Sequence, residues 1–187
     1  MVNKKHRVCP AAMAGHLDNP IRRWFQNPRK ILKPYIHEGM TVLDMGCGSG
    51  FFIRDIAHMV GERGRVIAAD LQEEMLAKLS QKVQGTLLES RIICHKCSEN
   101  KIGITEPVDF ALLFYMVHEA PDLEALFREL FFMLKPRGRA LIAEPSFHVS
   151  KRSFEKTLRT TQNQGFILVE TPKVFFSKTA LLQKQSD

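Results

Sequence analysis

Several side chains that can hold or accept a proton follow two predicted strands in the second half of the chain. They are Tyr115, His118, Glu119, Glu144 and His148. The strands are expected at 108–114 and 139–144. Histidine titrates at a pH of about 6.5 when unperturbed, which suits a general base near neutrality. These side chains are therefore candidates for a general base, with His118 as the first of them.

The same side chains also have structural explanations, and the sequence leaves both open. A polar group at the start of a helix often only completes a hydrogen bond, so His118 fits that role as well. Glu144 ends a buried strand, where it either reaches a pocket or pairs with an arginine. Tyr115 either orients a substrate or packs.

A glycine-rich turn follows an apolar, β-branched run. Residues 41–52 read Thr-Val-Leu-Asp-Met-Gly-Cys-Gly-Ser-Gly-Phe-Phe, so Gly46, Gly48 and Gly50 join a predicted strand to a helix. Such a turn lets the backbone approach a ligand closely at a helix N-terminus. Asp70 ends the second predicted strand, where an acid typically accepts hydrogen bonds from ribose hydroxyls. Together these features indicate a ligand of the adenosine type.

The details of the turn argue against a dinucleotide. The dinucleotide motif is G-x-G-x-x-G, whereas Gly50 comes one residue early and Phe51 follows it. Asp44, still inside the strand, adds a carboxylate beside the turn, which disfavours a pyrophosphate. The charge of Asp44 instead attracts a ligand that carries an ammonium or sulfonium group.

Around these residues the chain predicts an alternating α/β fold. Strands are expected at 41–45, 65–70, 91–95, 108–114, 139–144, 166–170 and 174–182, and helices at 50–60, 72–83, 122–133 and 150–163. Only Thr171-Pro172-Lys173 separates the last two strands, which is too short for a crossover, so they should be antiparallel. The predicted architecture is a doubly wound, mostly parallel seven-stranded sheet with an antiparallel last strand. Short helices from Pro20 and over 29–37 form an N-terminal arm at 1–38, ahead of a domain at 39–187.

Composition narrows the class of protein. The 187 residues suit a single domain, and the absence of a long apolar run or signal-peptide segment predicts a cytoplasmic protein without a membrane span. Cys94 and Cys97 form a C-x-x-C pair, but no second pair accompanies it as a zinc site requires. Cys9, His16, His118 and His148 carry zinc-ligand atoms without ligand spacing, so no metal is expected.

The net charge of +7 raises the question of nucleic acid. The cations are scattered along the chain in twos and threes rather than in one long run. A solvated basic surface is the favoured interpretation, and nucleic-acid binding stays open as the less favoured one.

The chain resembles the class I S-adenosylmethionine-dependent methyltransferases, whose sheet is Rossmann-like. The turn at 42–50 resembles the family's first motif, and 66–70 resembles the second. The segments 107–113 and 134–139 resemble the later motifs, and 117–122 is similar to the UbiE-like branch that acts on small molecules. The resemblance covers roughly residues 40–182.

This resemblance implies S-adenosylmethionine as cofactor and S-adenosylhomocysteine as product. By position, the glycine turn with Cys47 and Phe51 would border the amino-acid part, with Asp44 near its charged end. Asp70 would bind the ribose, and Phe114 and Tyr115 would lie beside the sulfonium. Leu71 and Met75 would pack on adenine. Cys97 and Ser98 stand where many relatives have an acid for the adenine amino group.

The acceptor side is less defined. Residues 9–25 lie where related enzymes place a lid, so we expect them to close the site and help select the substrate. The candidate substrate-binding residues are His16, Trp24, Tyr115, Glu119 and His148. A small-molecule acceptor is the favoured interpretation. An RNA or protein methyltransferase and a non-catalytic cofactor-binding protein are the alternatives.

Overall fold

The fold is seen in a computed structural model that describes residues 20–185. Seven strands form one sheet in the order β3-β2-β1-β4-β5-β7-β6. The strands are β1 Thr41–Met45, β2 Arg65–Asp70, β3 Ile92–Lys96, β4 Val108–Phe114, β5 Leu134–Pro145, β6 Phe166–Glu170 and β7 Ser177–Lys184. β7 runs antiparallel to both of its neighbours, and the other pairings are parallel. The predicted sheet, with its reversed last strand, is therefore confirmed.

Helices cover both faces of the sheet. They are α1 Pro20–Phe25, α2 Pro28–Leu32, α3 Ile53–Val60, α4 Glu73–Val83, α5 Leu123–Met133 and α6 Lys151–Asn163, with single 3-10 turns at Glu89–Arg91 and Val117–Glu119. One apolar core lies under α2, α3 and α4, and a second lies under α5 and α6. Every residue of β1 is buried, because both faces of this central strand are covered.

Several predicted boundaries are wrong by a few residues, each for a local reason. The helix predicted over 29–37 is regular only to Leu32, since Pro34 lacks the N–H that a further helical turn needs. β5 starts at Leu134 and includes the predicted turn at 135–138, where Arg137 has a positive φ of 62° and the pairing with β4 is irregular. β7 starts at Ser177 because Phe176, with φ 52°, ends a turn.

The strand order reverses direction at β1, which lies between β2 and β4. In open α/β sheets, ligands bind at the carboxyl ends of the strands beside such a switch point. The glycine turn after β1, Asp70 at the end of β2 and the 3-10 turn after β4 therefore meet at one edge of the sheet. The boundary predicted between an arm at 1–38 and a domain at 39–187 stays a prediction.

Candidate active site

The glycine turn after β1 is anchored to the end of β2. The backbone N–H groups of Gly46 and Cys47 both donate to the carbonyl of Ala69, at 2.8 and 3.1 Å. Asp70 accepts from Gly48 N at 2.9 Å through one carboxylate oxygen and from Gln72 N at 2.8 Å through the other. Each oxygen keeps a further lone pair for a ligand hydroxyl, so Asp70 can fix the turn and still accept hydrogen bonds from a ribose.

Two glycines of the turn serve different purposes. Gly48 has φ +54°, and a Cβ built there meets nothing within 4 Å, so this position opens into the adjoining cavity. Gly50 has φ +93°, and a Cβ there would lie 2.5 Å from Cδ1 of the buried Leu79. Gly48 therefore leaves room for a ligand, whereas Gly50 allows the turn to pack against α4.

This difference predicts opposite profiles for two alanine variants. Gly48→Ala should lower affinity for S-adenosylhomocysteine by about tenfold or more while costing about 1 kcal/mol of stability from its positive φ. Gly50→Ala should mainly lower the melting temperature, because the overpacked Leu79 costs about 1–3 kcal/mol. Calorimetric titration and thermal unfolding of both proteins test this. Equal losses of affinity in the two variants would contradict it.

The turn lines a cavity of about 560 Å³. Most of the predicted cofactor residues lie on its wall: Asp44, Gly46, Cys47, Gly48, Phe51, Asp70, Leu71, Met75, Ser98 and Phe114. Gly50 and Cys97 do not line it. Of the predicted acceptor-side residues, Tyr115, His118, Glu119 and His148 share the same wall. The cavity thus brings the predicted cofactor and acceptor sides together.

Two other candidate residues do not lie on the cavity wall. Trp24 is not on the cavity wall, and its side chain is 81% exposed. Glu144 is 1% exposed and lies behind the wall, where it contacts His118. His16 lies outside the described residues, as does Cys9.

Asp44 is the least satisfied polar group of the site. Its side chain is 2% exposed, and its Oδ2 atom has no hydrogen-bond partner. Burial, together with the charge of Asp70, raises the pKa of Asp44 to about 7, against the opposing effect of Arg22. A buried carboxylate oxygen without a partner is costly unless a cation or donor meets it. The ammonium group of S-adenosylmethionine fits that requirement.

His118 and Glu144 form a hydrogen-bonded unit. The Nδ1 atom of His118 lies 2.8 Å from Oε2 of Glu144, and the backbone N–H groups of Val117 and His118 also donate to that carboxylate, each at 3.2 Å. Because a carboxylate only accepts, Nδ1 carries a proton and Nε2 is left free to take one. Burial lowers the pKa of His118, but the hydrogen bond and charge of Glu144 and the charge of Glu119 outweigh it and raise the pKa.

The wall beside His118 continues through two more side chains. The ring of His148 lies 4.9 Å from that of His118 between centroids, roughly edge to face. Tyr115 has a positive φ of 61°, and its hydroxyl lies 2.8 Å from Ser177 Oγ and accepts from Gln26 Nε2 at 2.5 Å. The Tyr115 hydroxyl therefore joins α1 to the end of the sheet.

After β3, the strand end and the residues that line the cavity lie one or two positions later in the chain than the sequence predicted. β3 ends at Lys96 rather than at residue 95, and Cys97 turns inward, where burial and the charges of Asp70 and Glu129 raise its pKa to about 12. Ser98, Glu99 and Asn100 line the cavity. Glu99 is therefore an acid on the cavity wall after the third strand, where only Cys97 and Ser98 were predicted from the sequence. Its position two residues after Cys97 was the available signal.

Arg22 is a second residue on the cavity wall whose contacts the sequence did not predict. Its guanidinium lies 4.1 Å from the ring centroid of Phe51, and the side chain lines the cavity. Arg23, by contrast, pairs with Asp55 and donates to the Phe51 carbonyl at 3.3 Å. Residues of α1 thereby contact the end of the glycine turn.

The described residues hold no cluster of metal ligands. Among residues 20–185, no three His, Cys, Asp or Glu side chains come together in a way that could bind a metal ion. Cys94 is exposed while Cys97 is buried, and burial raises the pKa of both thiols. No helix within the same residues is long and apolar enough to cross a membrane.

Comparison with known proteins agrees with this geometry. Over residues 36–183 the chain matches the family described as methyltransferase domain. A S-adenosylmethionine-dependent methyltransferase from Aquifex aeolicus superposes with a TM-score of 0.84 at 28% identity, over 94% of this chain and 99% of that one. Aeropyrum pernix fibrillarin with natively bound S-adenosylmethionine shares the fold, at a TM-score of 0.63 and 16% identity over 78% of this chain and 67% of that one.

The fold is that of the S-adenosylmethionine-dependent methyltransferases, and the chain belongs to the methyltransferase-domain family. The predicted class and cofactor are thereby confirmed. The demethylmenaquinone methyltransferase of Lactococcus lactis is 29% identical over 126 residues, 63% of this chain and 48% of that protein. The match thus spans about half the length of such curated relatives.

Proposed function

We propose that the protein transfers a methyl group to a small-molecule acceptor by in-line displacement. S-adenosylmethionine supplies an electrophilic methyl group on a sulfonium, which leaves S-adenosylhomocysteine when the carbon–sulfur bond breaks. The observation that carries the proposal is that one cavity, of about 560 Å³, joins the glycine turn to His118. A volume of this size suits a cofactor and a modest acceptor.

The cofactor side of the proposal rests on charge and shape. Asp44 would meet the ammonium group with its unpartnered Oδ2 atom. Asp70 would accept from the ribose while it holds Gly48 N. Leu71 and Met75 would supply apolar surface for adenine, and Glu99 or Ser98 would accept from its amino group.

On the acceptor side, His118 is the proposed base. The acceptor's lone pair forms the new bond to the methyl carbon, and the acceptor's proton passes to Nε2 of His118. Glu144 is a positioning residue, because it holds Nδ1–H and stabilises the imidazolium that results. Tyr115, Glu119 and His148 are proposed to orient the acceptor. The rate then depends mainly on alignment and exclusion of water.

The relatives favour a small acceptor. The name demethylmenaquinone methyltransferase describes proteins that act on demethylmenaquinone, rather than on RNA or protein. The net charge of +7 favours the second candidate, an RNA methyltransferase. Binding of single-stranded RNA that falls steeply with salt, with methyl label in the RNA, would support that alternative.

We propose further that residues 9–25 close the site. Support comes from α1, where Arg22 lines the cavity, and from Gln26 just beyond α1, which donates to the Tyr115 hydroxyl.

Deletion of residues 1–25 should lower kcat by about 10- to 100-fold, since alignment and water exclusion are lost. Deletion of residues 1–8, which spares the proposed lid, is the matched control. Full turnover by a folded protein lacking 1–25 would refute the lid.

A further inference from the structure

An exposed aromatic surface borders the cavity and has no place in the chemistry above. It consists of Trp24, Phe25, Phe147, Phe175 and Phe176, which are 81%, 49%, 83%, 48% and 64% exposed. We call it the aromatic rim. Large rings left in water at adjacent positions mark an interaction site more often than single exposed apolar residues do.

Most of the rim is one connected set of rings. Centroids lie 5.4 Å apart between Trp24 and Phe25, 4.8 Å between Phe25 and Phe175, and 4.4 Å between Phe175 and Phe176. The set is held together from beneath, because Gln26 Nε2 donates to the Phe175 carbonyl at 3.1 Å. The rings therefore present a shared surface although they come from both ends of the sequence.

The aromatic rim continues to the mouth of the cavity. The N–H of Ser146 donates to the carbonyl of Phe176 at 2.9 Å, and the next residue, Phe147, lines the cavity. Tyr115, which also lines it, bonds Gln26 and Ser177, the residues next to Phe25 and Phe176. Whatever covers the rim thus lies against the entrance for the acceptor.

The two segments that carry most of the rim have only cationic charged side chains, two of which, Arg23 and Arg29, pair with the buried Asp55. Residues 20–33 and 171–180 supply four of its five rings and contain no aspartate or glutamate. Their cations are Arg22, Arg23, Arg29, Lys30, Lys33, Lys173 and Lys178. A second copy of this chain would bring like charges together, so self-association through this face is disfavoured.

From these observations we infer that the aromatic rim docks onto the surface of an anionic lipid bilayer. Trp and Phe rings bury in the interface between headgroups and acyl chains, while Lys and Arg are attracted by anionic headgroups. A protein held in this way faces the bilayer with the mouth of its cavity. An apolar acceptor dissolved in the lipid could then reach His118 without crossing water.

Trp24 makes the inference directly testable, because it is the only tryptophan in the chain. The full-length protein is titrated with phosphatidylcholine vesicles that contain about 30% phosphatidylglycerol, and with vesicles of phosphatidylcholine alone. We expect the Trp24 emission to shift to the blue with anionic vesicles, to be quenched by brominated acyl chains, and to respond less at high salt.

Matched variants distinguish vesicle binding through the aromatic rim from nonspecific adsorption through other exposed apolar residues. Phe175→Ser combined with Phe176→Ser should weaken partition into anionic vesicles by about tenfold or more, as two rings no longer bury. The control combines Leu87→Ser with Phe132→Ser, which removes two apolar side chains outside the rim that are 91% and 76% exposed. This double variant should bind vesicles like the parent protein.

Several results would overturn the inference. These are an emission that vesicles leave unchanged, equal losses in both double variants, and a blue-shifted emission that instead follows protein concentration. Binding of single-stranded RNA through the rim without binding of vesicles would also overturn it. Each readout is independent of methyl transfer, so failure here leaves the proposed function standing.

Discussion

Replacement of Asp44 by asparagine should weaken binding of S-adenosylhomocysteine by about 10- to 100-fold, because a charged hydrogen bond contributes about 1.5–3 kcal/mol. The buried Oδ2 atom of Asp44 has no partner within the described protein, so the ligand's ammonium group is the expected one. Isothermal titration calorimetry measures the change. Asp109→Asn is the matched control, since Asp109 caps Thr41 N at the opposite end of β1 and bonds Lys135.

The same substitution should make the free protein more stable. The pKa of Asp44 rises from 3.8 to about 7 on folding, so the folded state holds a proton that the unfolded chain releases between these values. Stability conferred by this group therefore falls as pH rises from about 4 to 7. Asparagine does not titrate, so the stability of Asp44→Asn should not fall in this way. We expect the variant to unfold at a higher temperature than the parent protein at pH 8 but not at pH 4.

The titration also predicts how binding depends on pH. Because the ammonium group pairs with the ionised carboxylate, affinity for S-adenosylhomocysteine should rise as pH increases through about 7. The asparagine variant should show no such rise. An affinity that Asp44→Asn leaves unchanged at pH 8 would contradict the role given to this carboxylate.

Replacement of His118 by alanine should lower kcat by about 100- to 10,000-fold, the usual contribution of a general base. Affinity for S-adenosylhomocysteine should change little, since Asp44 and Asp70 remain in place. The measurement is turnover with the extract fraction that accepts the methyl group. The exposed His58 on α3 provides the control variant, His58→Ala, which should retain full turnover.

The Glu144 carboxylate adds a pH signature to this prediction. It helps to raise the pKa of His118, so the rate of the parent protein should increase with pH through a value above that of free histidine. Glu144→Gln removes the charge and should move this inflection to lower pH while it slows turnover. If Glu144→Gln is slower but the inflection in its pH dependence of rate is unchanged, then Glu144 has only a structural role.

Residues whose role depends on local sequence could be predicted. The spacing of Gly46, Gly48 and Gly50 and the strand-terminal Asp70 predict a tight turn after β1, and the structure contains it, because the geometry of this turn is set within a few residues and one neighbouring strand. The sheet followed from apolar runs, and its reversed strand from a loop too short for a crossover. These features indicated the donor side of the reaction.

Contacts between distant segments could not be predicted in the same way. Gln26 meets Tyr115 from 89 residues away, and Glu144 meets His118 from 26 residues away, so neither pairing has a spacing signal. Cys97 was placed in the site because it follows the third strand, but its side chain is buried and does not line the cavity. Trp24 was placed on the acceptor wall from its position in the chain, whereas the packing of α1 turns Arg22 inward instead.

The most direct test of the proposed function is methyl transfer to an unknown acceptor. The protein is incubated with methyl-labelled S-adenosylmethionine and a fractionated cell extract, and the products are separated by mass. We expect the label in a small molecule, with its appearance lost in His118→Ala and retained in His58→Ala. Label found only in RNA or protein, or no transfer despite tight cofactor binding, would contradict a small-molecule methyltransferase.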